Sequence, residues 1–194
     1  MSKLTTPEAL VRRFQTRDPA VIAEGLEIPV RHLQHPESAL PGLTCLVANR
    51  PSIFINDSYF ERLMKRQKNY TEENLRDDVL QVLAHELGHA VLHRAQLRAA
   101  PIREYQIFDV RTAMEAEANE FAAGVRIDRE ELLDLLNSDR TILQVASEMR
   151  VNVNLLIYRI ELLRREGFKF NALPYLPKNN FIGSIRGAGS PEWG

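Results

Sequence analysis

The stretch "EENLRDDVLQVLAHELGHAVLHR" after Thr71 constrains this chain more than any other. Leu75, Val79, Val82, Leu83, Leu87 and Val91 recur at helical spacing, which predicts one long buried helix running to about Arg94. His85, Glu86, His89 and His93 fall in its second half. On a helix, His85 and His89 are one turn plus about 40° apart, so both imidazoles leave from one face and can meet at one ion. Glu86 lies beside them, in the H-E-x-x-H order in which two neutral imidazoles bind zinc and the carboxylate accepts a proton from water. Gly88 sits inside the same helix at a cost of roughly 1 kcal/mol relative to alanine. A close neighbouring backbone would account for it.

Such a short match arises by accident in on the order of one in a hundred chains of this size, so the pattern needs a second element. A catalytic zinc requires a third protein ligand and one open position. The acidic segment "MEAEANEFAAG" offers candidates. Glu115 and Asn119 share a helix face, whereas Glu117 is turned by about 200° from Glu115, so both glutamates are not expected on one ion. Glu115 is the expected ligand. Asn119 is then placed to accept a hydrogen bond from the non-metal nitrogen of a histidine, and Ala118 and Ala122 would let two helices approach closely. His93 would close the position that water needs if it were a fourth ligand, so it is read as a packing or loop-anchoring residue. For the donor that steadies a developing oxyanion, His93, Tyr105 and Arg111 stand unranked.

The remaining sequence frames this centre. Thr6 with Pro7 and Asp18 with Pro19 read as two helix starts, the second helix stopping at Gly25. Leu43 to Ala48 and Ser52 to Ile55 are β-rich runs around the turn-like "NRP", so a hairpin or sheet edge is expected, with Cys45 in a buried strand. Tyr59 to Lys68 reads as a helix whose basic residues form a solvated face. Residues 95–112 lose periodicity and read as a connecting loop. Helices are expected from Ala113 to Val125, after Asp128, from Thr141 to Met149 and from Val153 to Glu166, with Gly167 as a stop. From Asn171 the prolines, asparagines and glycines suggest an extended or mobile tail.

Composition narrows the class. With 25 basic and 26 acidic residues the formal net charge is -1, which gives no general attraction to DNA or to an anionic membrane. A single cysteine cannot form an internal disulfide, and no long apolar run is present, so a cytoplasmic location is expected. The segment "TILQVASEMRVNVNLLIYRIELLRREGF" admits a helix-turn-helix reading, with Arg159, Arg164, Arg165 and Lys169 in or after the second helix. Leu155, Leu156, Ile160, Leu162 and Leu163 make that helix mainly a packing element.

"HELGH" followed about 25 residues later by "EAEANEFAA" resembles the ImmA/IrrE metallopeptidases. The resemblance extends to "TRDPAVIAEGLEI", to "IFIN" and to the helices after the second motif. It departs after "FAA", where "GVRIDREEL" replaces a Leu-Leu-Met-Pro-like end at the wall of the substrate groove. It implies a zinc ion held by His85, His89 and Glu115, with Glu86 as the catalytic base; two imidazoles and a carboxylate also suit other divalent ions such as manganese or iron. It also implies cleavage of a helix-turn-helix repressor encoded nearby on a mobile element or in a stress-response operon. A metal-binding regulator that holds a repressor without cutting it is the alternative. The expected fold is α+β: a small, mostly antiparallel sheet on a zincin-like helical core over residues 1–125, a helical subdomain of the same unit over 126–169, and a tail over 170–194.

Overall fold

The computed structural model describes residues 5–99 and 108–170. Helix α1 (Pro7–Phe14) starts where Thr6 accepts the Ala9 amide, and α2 (Pro19–Gly25) where Asp18 accepts that of Ala20. Each begins with proline, whose fixed φ and missing N–H suit the first helical turn.

Strands β1 (Val30–Leu33), β2 (Gly42–Val47) and β3 (Arg50–Asn56) form one sheet in the order β1-β3-β2. β2 and β3 pair antiparallel across Ala48 and Asn49, both at positive φ (49° and 64°), as a two-residue hairpin turn with right-handed strand twist requires. β1 joins β3 in parallel, Val30 opposite Ile53 and Leu33 opposite Asn56. The α+β class therefore holds, while the sheet is mixed rather than mostly antiparallel. Cys45 lies in β2 but is half-buried, because this edge strand is covered on one face only.

Helix α3 (Asp57–Arg66) leads to α4 (Glu72–Leu92), whose start is fixed by a reciprocal pair of bonds between Thr71 and Asn74. The expected loop after it is partly helical. α5 (Arg94–Ala99) has no buried residue, so it leaves no apolar periodicity to read, and α6 (Phe108–Arg126) begins five residues before the predicted Ala113. Three helices follow: α7 (Arg129–Leu136) capped by Asp128, α8 (Ile142–Glu148) capped by Thr141, and α9 (Val153–Arg165) capped by Asn152. The expected tail from Asn171 lies outside the described residues.

Two apolar clusters organise these elements. Ile53 and Ile55 of β3 pack with Leu83 and Leu87 of α4 and Phe121 of α6. Leu132, Leu155, Leu156, Ile160 and Leu163 gather with Ala84 of α4 and Ala122 of α6. Helices α4 and α6 thus run through both clusters. No described helix is long and apolar enough to cross a membrane. In α9, Leu155, Leu156, Ile160, Leu162 and Leu163 are buried, and Arg159, 6% exposed, lies within 3.9 Å of Glu8 and of Glu166 rather than on an outer basic face.

Candidate metal centre

The centre forms where α4 crosses α6. A Cβ on Gly88 would stand 3.0 Å from Ala118 Cα and 3.1 Å from its carbonyl oxygen, so the glycine permits backbone-close contact between the two helices. That approach explains the residue's presence despite its helix cost. It also sets the reach of the side chains one turn away on either helix.

His85 and His89 turn their Nε2 atoms toward each other at 3.1 Å, with ring centroids 4.7 Å apart and planes nearly perpendicular. From α6, Glu115 brings Oε2 to 3.3 Å of His85 Nε2 and Oε1 to 3.6 Å of His89 Nε2. One donor atom from each residue lies within 4.8 Å of the others. The three side chains are 13%, 12% and 23% exposed, enough for access from one side. Two imidazole nitrogens and a carboxylate make a donor set suited to zinc and to other borderline divalent ions. Burial lowers the proton affinity of His85, but the carboxylates of Glu115 and Glu86 outweigh it and hold its pKa above the ordinary histidine value. The pocket therefore favours positive charge.

Behind each imidazole stands a different partner. His85 Nδ1 lies 2.8 Å from Asn119 Oδ1; with the amide oxygen as acceptor, the ring proton sits on Nδ1 and Nε2 keeps its lone pair. His89 Nδ1 lies 3.0 Å from His93 Nδ1, and His93 Nε2 lies 3.0 Å from Glu117 Oε2. Glu117 thus points to His93, away from the shared centre. His93 is 1% exposed with both ring nitrogens engaged, which removes it from the oxyanion candidates. Tyr105 and the side chain of Arg111 lie outside the described residues.

Glu86 is 8% exposed and faces the sheet. The Thr44 hydroxyl on β2 lies 2.8 Å from Glu86 Oε2 and 2.9 Å from its backbone carbonyl oxygen. Two residues earlier, a Cβ on Gly42 would fall 3.0 Å from Glu86 Cγ and 3.1 Å from Oε1, so the start of β2 rests directly against this carboxylate. Sequence reasoning missed Thr44 and Gly42. Nothing local marks them, since the contact joins residues 42 positions apart. From the far side, Tyr158 of α9 donates its hydroxyl to the carbonyl of Ala116 at 3.1 Å, bracing the turn of α6 that carries Glu115 and Glu117.

Residues 69–161 match the family model of the IrrE N-terminal-like domain (Peptidase_M78), a span that contains both helices of this centre. No curated protein and no solved structure matches the chain.

Proposed function

From the match of residues 69–161 to the IrrE N-terminal-like domain (Peptidase_M78), we propose that the protein is a zinc-dependent endopeptidase with His85, His89 and Glu115 as ligands and Glu86 as general base. The family implies a metal cofactor, and the donor set described above fits one. The carrying observation is the convergence of two Nε2 atoms and one carboxylate beside a buried glutamate.

A bound divalent ion supplies Lewis acidity toward a peptide carbonyl and an attacking water. Glu86 accepts the proton of that water and returns it to the leaving amine nitrogen. Thr44 orients the carboxylate by holding Oε2, while the missing side chain at Gly42 keeps the space beside Oε1 open. β2 is an edge strand bearing exposed Leu43 and Val47. An extended substrate segment pairing with its outer edge would run across Glu86. The resemblance to ImmA/IrrE proteins supports a helix-turn-helix repressor encoded nearby as the protein substrate.

The test is incubation of the protein with that repressor, with and without a chelator, beside a Glu86→Gln variant. Cleavage should stop on chelation and return with zinc. The variant should retain one zinc and lose at least about 100-fold in rate. Persistent cleavage by Glu86→Gln would overturn the assignment of the base. Relief of repression in cells by a non-cleaving Glu86→Gln protein would replace proteolysis by capture.

A further inference from the structure

We propose that His93 and Glu117 form a positioning pair that fixes the orientation and tautomer of His89 and raises its affinity for the ion. This inference rests on the ligand reading above. The proton inventory supports it. When His89 offers the Nε2 lone pair to the centre, its Nδ1 carries hydrogen, and the neighbour 3.0 Å away, His93 Nδ1, must accept. The other nitrogen of His93 then carries hydrogen and donates to Glu117 Oε2, also at 3.0 Å. Only one arrangement of protons satisfies all three groups in their neutral-imidazole form. It runs in one direction, from His89 through His93 to a carboxylate.

A ring that merely filled space at the end of α4 would be cheaper as an apolar side chain, because a buried imidazole without partners loses its hydration. Here the ring is 1% exposed and bonded at both ends. Carboxylate–histidine pairs behind a ligand raise its basicity and lock its ring plane. The extra imidazole extends that device by one residue, which lets Glu117, 61% exposed, act from the surface. The two ligating histidines thereby differ: His85 is held by a neutral amide and His89 by a chain that ends in a negative charge.

Zinc affinity measured by competition with a chelating dye separates this role from simple packing. Glu117→Ala should weaken zinc binding roughly tenfold, and Glu117→Gln, which keeps an acceptor oxygen, should recover part of that loss. The unfolding midpoint of the zinc-free Glu117→Ala protein should fall only slightly, since water can replace the exposed carboxylate as the acceptor for His93 Nε2. In zinc-loaded wild type, nitrogen-15 NMR should find the His93 proton on Nε2. Equal affinities for wild type and Glu117→Ala, or a proton on His93 Nδ1, would overturn the pair alone. A wild type that takes up no zinc would instead remove the ligand reading and the pair with it.

Discussion

Beneath the sheet, Ile53, Ile55, Leu83 and Leu87 pack beside buried polar groups: Thr44, Glu86, His93 and Asn119 lie on this side of the molecule. Around α9, Leu132, Leu155, Leu156, Ile160 and Leu163 pack with Arg159 as the one buried charge among the described residues there. Both regions bury aliphatic side chains to completion. They differ in what interrupts the packing. On the sheet side, these four hydrogen-bond toward the candidate metal centre, whereas the helical side reaches it through Tyr158 and the α6 backbone. Chemistry and support are thus divided between two clusters that share α4 and α6.

The sharpest way to break this division is to damage the support alone. Leu156→Ala, at a site with no exposure, should cost about 2–5 kcal/mol of stability by chemical denaturation. Zinc affinity of the folded protein should remain within about twofold. A matching loss of affinity would show that the helical cluster sets ligand geometry directly. Next in size is Thr44→Val, which keeps shape and removes a hydrogen bond to a charged group worth about 1.5–3 kcal/mol. If that bond is used in full at the transition state, turnover should fall about 10- to 100-fold with zinc affinity unchanged; a change confined to affinity would reassign Thr44 to the metal. The smallest effect is expected from Gly88→Ala. The added methyl presses on the Ala118 backbone at about 1–3 kcal/mol, offset by roughly 1 kcal/mol of helix preference. Net stability should fall by about 1 kcal/mol while zinc affinity drops several-fold, because α6 carries Glu115 away. Unchanged affinity would show that the helices need not be so close.

What the sequence made legible was local. The helix starts at Thr6, Asp18, Thr71, Asp128 and Thr141 were readable because each cap bonds within three residues of itself. The 200° turn between Glu115 and Glu117 separated the two glutamates for the same reason: helix geometry fixes it before tertiary contacts form. Strand β1 escaped because its four residues, with the middle two exposed, gain order from pairing with β3 more than twenty positions on. The bond from Thr44 to Glu86 has no sequence signature at all. His93 was visible one turn beyond His89. Its partner was not deducible, since the pairing with Glu117 depends on how far α6 is rotated against α4.

Helix α4 places Ala84 in one apolar cluster and its neighbours Leu83 and Leu87 in the other. Melting either half would strip this shared spine of much of its packing, so thermal disorder should spread through the chain in a single step. An ion gripped at one turn of that spine would then raise the melting temperature of the whole protein, including helices that never touch it.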